Sequence, residues 1–409
     1  MKILMVNKFL WPKGGAETYL IRLGECLKTM GHRVEYFGMD SPERTVGNRA
    51  EAYAGYMDFH GGSLWEKLGY SLRVIYSGEA RRKIRRVLED FQPDVCHLNN
   101  FNYQLTPAIL LEIRSWQRET GHSCKILYTA HDYQLVCPNH LCYAPGREAP
   151  CEKCLGGNYL HCVQGRCIHG SRLRSVLGAA EGFFWRAMGT YRQIDAVICC
   201  SRFVKDRLDR NPALVGKTLV LHNFAEPVPD VAQEKGDTVL YFGRYEPEKG
   251  VQDLLQAAKA LPEISFRFAG SGSLKKAMAG ISNVEDLGYL SGAALHSQIR
   301  QARFTVCPSR WQENCPMAVL ESLSLGTPVL GADIGGTPEL IRPGVTGDLF
   351  ESGNVADLTE KLSALWHDRQ RLETMAENCR RTSFDTLQSY AAQFLQLAGK
   401  EEIHEDIPD

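Results

Sequence analysis

No run of roughly eighteen apolar residues occurs in the chain, so no segment is expected to cross a bilayer as a helix. Net charge is almost absent: 47 Lys and Arg stand against 48 Asp and Glu, a balance of −1. That excludes a global pull toward nucleic acid, and no nucleic-acid partner is expected. The Gly-x-Gly-x-x-Gly pattern of dinucleotide-binding loops is not found at the first glycine loop. The apolar run in the opening MKILMVNKFLWPKGGAE is too short for a signal peptide and reads as a first strand ending in that loop. The expected location is therefore the cytoplasm.

The chain has 409 residues, more than one typical core, and two domains are expected. Hydrophobic content of 44% and charged content of 23% describe an ordinary globular composition. Short β-rich runs alternate with longer helical ones. Candidate strands are Ile3–Val6, Val34–Phe37, Val95–Leu98, Ile126–Thr129, Val197–Cys200, Thr218–Leu221, Val239–Phe242, Phe266–Ala269, Phe304–Cys307 and Pro328–Leu330. Near-continuous apolar strands separated by helices predict an α/β fold with parallel sheets covered on both faces. The proline- and charge-rich stretch Phe224–Asp237 reads as the break between halves. The expected organisation is a first doubly wound, Rossmann-like domain over 1–225 and a second over 226–383, facing a central cleft. A last helix within 384–409 is expected to return to the first domain, followed by a frayed acidic tail.

The stretch Ser309–Glu321, SRWQENCPMAVLE, organises the rest. A helix is predicted to begin near Pro316, with Glu321 just over one turn in and Glu313 on the loop before it. Backbone N–H groups of Cys315–Ala318 would point from the helix start, where an anion is welcome. One segment would thus offer a loop carboxylate, a phosphate seat and a second carboxylate. A surface loop followed by an ordinary amphipathic helix is the plainer alternative. The loop Trp11–Glu17 carries Gly14 and Gly15 between a strand and the expected helix Thr18–Met30, which allows close approach to an anion or simply a tight turn. Gly243 and Arg244 end a strand, and Lys249 lies in the turn before the expected helix Val251–Ala260. Two cations there suit a diphosphate, Arg as a fork and Lys as a point charge, or form a charged surface turn. Gly270 and Leu290 follow successive strands and can lie along a nucleotide base through their backbone. His131 ends the strand Ile126–Thr129, where a neutral imidazole can bond a sugar hydroxyl or serve structure alone.

Cysteine is plentiful: fourteen, of which six, Cys137, Cys142, Cys151, Cys154, Cys162 and Cys167, fall in one stretch. Cys151-x-x-Cys154 is the knuckle spacing of tetrahedral zinc, and Gly, Pro and charge leave the segment little core of its own. A structural zinc held there is the expectation; packed thiols and disulfides are the alternatives, with His140, His161 and His169 as further candidate ligands. Two stretches mix basic and apolar residues. One runs through Trp65, Lys67, Leu68, Tyr70, Leu72, Arg73, Val74, Ile75, Tyr76, Arg81, Arg82, Lys83, Arg85 and Arg86. The other holds Arg172, Arg174, Phe183, Phe184, Trp185, Arg186 and Arg192. Such faces can lie on an anionic membrane at the inner side of the cell membrane, or can be solvated faces over a core.

Taken together these residues resemble the retaining glycosyltransferases of family 4, with the GT-B fold, over nearly the whole chain from Lys2 to about Leu397. The resemblance rests on Gly14-Gly15-Ala16-Glu17, Pro93–His97, His131-Asp132, Ser201-Arg202-Phe203, Gly243-Arg244 with Glu248-Lys249-Gly250, Glu313 to Glu321, and Gly326–Val329. It implies that Arg244 and Lys249 hold the donor diphosphate, with Gly15 adding an N–H. Glu313 would meet the transferred sugar's hydroxyls, Glu321 the ribose and His131 the sugar near C6. Gly14, Gly243, Gly270, Leu290, Asn314, Cys315, Met317 and Ala318 would line the donor. It implies no metal in catalysis, because paired cations and a helix end take that part. It further implies retention by front-face attack with the leaving phosphate as base, Glu313 as a covalent nucleophile being the weaker route. The chain departs from the family where Gly-Phe-Gly often follows the first glutamate: Asn314-Cys315-Pro316 stands there, and Pro316 removes one N–H. The cysteine segment is not general to the family either and is similar to a subset from bacterial surface-polysaccharide clusters.

The expected activity is transfer of a sugar from a UDP- or GDP-sugar to a glycan or lipid-linked acceptor, in cell-surface polysaccharide synthesis. A nucleotide-sugar epimerase of the same architecture is one rival. A zinc-stabilised binding or scaffold protein with a dead transferase site is the other.

Overall fold

The computed structural model describes residues 1–56, 73–144, 149–225 and 235–399. Two compact units form. One comprises Met1–Gly146, Cys151–Leu221 and Leu387–Asp409; the other comprises Arg147–Pro150 and His222–Thr386.

The first unit is a six-stranded sheet in the order Arg33–Phe37, Lys2–Val6, Val95–Leu98, Lys125–Ala130, Ala196–Cys199, Thr218–Val220, and every pairing is parallel. Its four inner strands are apolar runs with both faces covered, which is why they read as continuous rather than alternating. The first helix begins earlier than expected, at Gly15 rather than Thr18. Gly14 is extended at its N-cap, and its carbonyl accepts from the Thr18 N–H at 3.0 Å, so Gly15 is already helical. The helix Leu387–Ala398 packs in this unit. Tyr390, Ala391, Phe394 and Ala398 are buried, the Tyr390 hydroxyl lies 2.8 Å from that of Tyr19, and the Phe394 ring lies 4.7 Å from the His97 ring.

The second unit is another six-stranded parallel sheet, ordered Val284–Gly288, Phe266–Ser271, Val239–Arg244, Phe304–Cys307, Val329–Ala332, Gly347–Phe350. Alternate side chains feed two cores. Tyr241, Phe266, Phe268 and Val306 pack with Leu254, Leu255, Leu358 and Leu362, while Leu240, Phe242 and Ala269 pack with Ile299 and Leu325. The helices Val251–Ala260 and Met317–Ser324 lie where the sequence places them. The edge strand Gly347–Phe350 was not anticipated, being four residues that open on glycine and carry a charge. Among the described residues no helix is long and apolar enough to cross a membrane.

Candidate active site

In the second unit, strand order reverses between Val239–Arg244 and Phe304–Cys307. Open α/β sheets bind ligands at the carboxyl ends of the strands at such a switch point. The turn after the first strand and the loop after the second meet there. Gly250, at φ +69°, makes the close approach possible: a Cβ at that position would sit 1.7 Å from the Pro308 carbonyl oxygen. The Arg310 and Trp311 N–H groups donate to the Glu248 carbonyl at 3.0 and 3.2 Å. Arg310 also forks onto Asp253, at 2.6 Å through Nε and 2.5 Å through the second nitrogen. Asp253 is only 2% exposed, so the pair is largely out of water, and removing one partner would strand the other.

This fastening brings Lys249 and Glu313 together. Lys249 Nζ lies 2.6 Å from Glu313 Oε1, and the Ser309 hydroxyl donates to the same oxygen at 2.5 Å. Burial opposes the Glu313 charge, but the Lys249 ammonium and the two hydrogen bonds outweigh it, and its pKa falls below the ordinary carboxyl range. Glu313 is thus a buried, charged acceptor. Its backbone is braced from the far side, where the Gly336 N–H donates to the Glu313 carbonyl at 2.7 Å. Gly335, at φ +64°, leaves no room for a Cβ against that backbone.

Arg244 is mostly exposed and pairs with Glu248 at 3.0 Å, an i,i+4 contact of the weak surface kind that a ligand can displace. Gly243 and Gly270 are register partners, and a Cβ on Gly270 would lie 1.9 Å from the Gly243 carbonyl oxygen, so sheet packing already requires Gly270. The helix Met317–Ser324 starts at Pro316, its N-cap, whose carbonyl accepts from Val319 and Leu320 at 3.0 and 3.3 Å. Met317 and Ala318, the first two helical residues, have no intrahelical acceptor for their N–H groups. Asn314 precedes them on the loop. Cys315 is buried at the helix foot, its thiol pushed up to about 12 by desolvation. Glu321 is half-buried on the second helical turn. Leu290 packs with Ala318 against the Leu240 and Phe242 core. Arg244, Lys249, Gly243, Gly270, Leu290, Glu313, Asn314, Cys315, Met317, Ala318 and Glu321 therefore all belong to one unit.

Gly14, Gly15 and His131 belong to the other. Apart from its own chain neighbours and helix backbone, nothing lies within 4 Å of where a Gly15 Cβ would be. His131 Nε2 sits 2.8 Å from Asn99 Oδ1, an atom that only accepts, so the ring carries its proton on Nε2. Desolvation lowers the His131 pKa to about 3, and the imidazole is neutral at ordinary pH. It can bond a hydroxyl but does not hold a charge.

The cysteine segment also lies in the first unit. The neighbouring Cys142 thiol lowers the Cys137 pKa, and the neighbouring Cys162 thiol lowers that of Cys167, to about 7, while the Cys137 thiol donates to Asn139 Oδ1 at 2.9 Å. Burial first, then the neighbouring Cys137, Cys151 and Cys167, push Cys154 up to about 12. Among the described residues no group of three or more His, Cys, Asp or Glu side chains is gathered to hold a metal ion. Cys137, Cys151, Cys154, Cys162 and Cys167, all expected as zinc donors, are electrostatic neighbours of one another.

Asp253 and its grip on Arg310 were not singled out from the sequence, whereas the loop Gly335–Glu339 reads there as another glycine turn after a strand. Asp253 reads there as an ordinary acid in the first turn of a helix. Only its burial against Arg310 shows otherwise.

The two sheets are Rossmann-like, and the second carries a cation–carboxylate pair at its switch point beside a helix start. This is the doubly wound α/β class, with its candidate site at the second sheet's switch point. A family model described as "Glycosyltransferase Family 4" matches residues 13–227, and one described as "Glycosyl transferases group 1" matches residues 225–382. The chain belongs to glycosyltransferase family 4 and has the GT-B fold. An uncharacterized glycosyltransferase of Methanocaldococcus jannaschii is 30% identical over 52% of this chain and 60% of its own length, less than two thirds of that protein. An uncharacterized 42.6 kDa protein in the cps region of Klebsiella pneumoniae is 25% identical over 84% of this chain and 88% of that one. Among solved structures, Anabaena HepE in complex with UDP superposes with a TM-score of 0.66 at 17% identity, covering 97% of this chain and 99% of that chain. At that identity the likeness shows the fold.

Proposed function

We propose that this glycosyltransferase moves a hexosyl group from a UDP- or GDP-sugar to a glycan or lipid-linked acceptor, with retention at the anomeric carbon, in cell-surface polysaccharide synthesis. The observation that carries the reading is the Lys249–Glu313 pair at the switch point. Lys249 and the displaceable Arg244 supply positive charge for the diphosphate, and the Met317 and Ala318 N–H groups supply a helix start beside it. The leaving group is a nucleoside diphosphate, and its departure is favoured where cations are already in place.

Glu313 has one oxygen tied to Lys249 and Ser309 and a depressed pKa. A carboxylate so stabilised is a weak nucleophile and a good hydroxyl acceptor. That supports positioning of the sugar by Glu313 and front-face attack, with the leaving phosphate accepting the acceptor's proton. The cps-region relative supports the surface-polysaccharide setting, and the UDP complex of the structural neighbour supports a nucleotide-sugar donor.

Thermal unfolding against UDP-, GDP- and ADP-sugars, with the free diphosphates as controls, tests the donor. Ligand that binds only the folded chain raises the midpoint. One nucleotide class should do so, and Lys249→Ala should weaken that class's binding at least about tenfold by removing a charge-assisted bond. Equal binding by wild type and Lys249→Ala would refute the phosphate role, and no shift with any nucleotide would favour the scaffold reading.

A further inference from the structure

The helix Arg172–Ala187 is built inside out. At 100° per residue, Leu173, Val176, Ala180, Phe183, Phe184 and Ala187 fall on about 100° of arc, the width of a core-facing stripe. Here that stripe faces outward: Leu173 is 71% exposed, Val176 43%, Phe183 40% and Phe184 38%, with Met188 just beyond at 56%. The opposite face carries Ser175, Gly178, Ala179, Glu181 and Trp185, all buried. Its small residues are required there. A Cβ on Gly178 would lie 2.4 Å from Ile168, and one on Gly182 would lie 2.9 Å from the Tyr159 ring. Trp185 is anchored by its indole N–H, which donates to the Ile75 carbonyl at 3.0 Å. The helix is thus held from within by small and polar contacts and presents its bulk to the outside.

The exposed charge along this stretch of chain has one sign. Between Leu155 and Ile194 the chain carries Arg166, Arg172, Arg174, Arg186 and Arg192, and its only carboxylate is the buried Glu181. Arg172 and Arg174 are exposed at the start of the stripe and Arg192 beyond its end. The other basic stretch differs. Its residues 65–72 lie outside the described residues, and Arg81 and Arg85 of the helix Gly78–Phe91 are ion-paired to Glu112. Those two charges are answered within the unit.

We propose that the outward face of Arg172–Ala187 docks on an anionic lipid bilayer, with Leu173, Val176, Phe183 and Phe184 entering the headgroup boundary and the arginines meeting lipid phosphates. The stripe, about 22 Å long, suits a helix lying in the plane of the surface. A second copy docking by the same face would set these arginines against their own kind, whereas an anionic surface complements both features at once. This inference does not rest on the donor chemistry, because the face lies wholly in the first unit.

Co-sedimentation of the full chain with phosphatidylcholine vesicles, with and without phosphatidylglycerol, is the test. Binding is expected to the anionic vesicles and to fall as salt rises. Leu173→Ser with Phe184→Ser, and separately Arg172→Gln with Arg174→Gln, should each weaken it about tenfold or more. Both side chains of the first pair are exposed, so its melting temperature and donor-induced shift should match wild type. Failure of wild type to bind anionic vesicles, or wild-type binding by both variants, overturns the inference. So does a chain that ignores vesicles and forms dimers that Leu173→Ser with Phe184→Ser dissociates.

Discussion

Glu181 is coupled through its protonation to the stability of the first unit. It is buried, with the Asn102 amide donating to Oε1 at 3.3 Å, and desolvation pushes its pKa up to about 8 from 4.5. The folded chain keeps this proton while the unfolded chain releases it above about 4.5. Its contribution is therefore complete below pH 4.5 and is lost as pH rises toward 8, at about 1.4 kcal/mol per pH unit. Glu181→Gln keeps the shape and the amide contact without the titration. Denaturant unfolding from pH 5 to 8 should show the variant gaining on wild type as pH rises; parallel profiles would show that Glu181 is ionised in the fold. His97, His131 and His140 work in the other direction. Desolvation lowers each to about 3, so their contribution is present above about 6.5 and is lost as acid protonates the unfolded chain.

At the scale of elements, the cysteine segment tests how far spacing can be read. Zinc remains our proposal for it, because the cysteines are neighbours, although among the described residues no group is gathered to hold a metal ion. Elemental analysis of the purified chain should give about one zinc per chain, and chelation should lower its melting temperature. A folded, metal-free chain would leave the thiol pairs as the segment's own chemistry, and Cys167, lowered to about 7, should then be alkylated early at neutral pH. The strands and the helix starting at Pro316 were legible because they are written in local apolar runs and one proline. So were Lys249 and Glu313 as separate charged groups. Their bond to one another was not, since it depends on Gly250 meeting Pro308 and on Asp253 gripping Arg310, contacts between segments more than fifty residues apart. Nor was the reversed helix Arg172–Ala187, where the period is ordinary and only the neighbours decide which face is covered.

For the whole molecule, the decisive feature is that the first unit is closed by the end of the chain. Tyr390 and Phe394 are fully buried in it, and the Tyr390 hydroxyl meets Tyr19. A chain ending at Thr386 would leave Tyr19, His97 and their neighbours uncovered. Losing two buried aromatic side chains costs about 6 kcal/mol or more, which is most of a typical domain's stability. Such a chain should show early unfolding of the first unit in urea, with the second unit's transition unchanged. A single transition at the wild-type midpoint would show that the last helix is dispensable.

The same closure sets an order of events during synthesis. The sheet of the second unit lies within one unbroken stretch, Val239–Phe350, and can complete its pairing as soon as that stretch has left the ribosome. The first unit is translated earlier but must wait for Leu387–Ala398, which begins about 170 residues behind its last strand, Thr218–Val220, before Tyr19 and His97 are covered. At about 5–20 residues per second this is a wait of roughly nine to thirty-five seconds. In that interval the part made first is the part still open, and it is there that a nascent-chain chaperone would find its apolar surface.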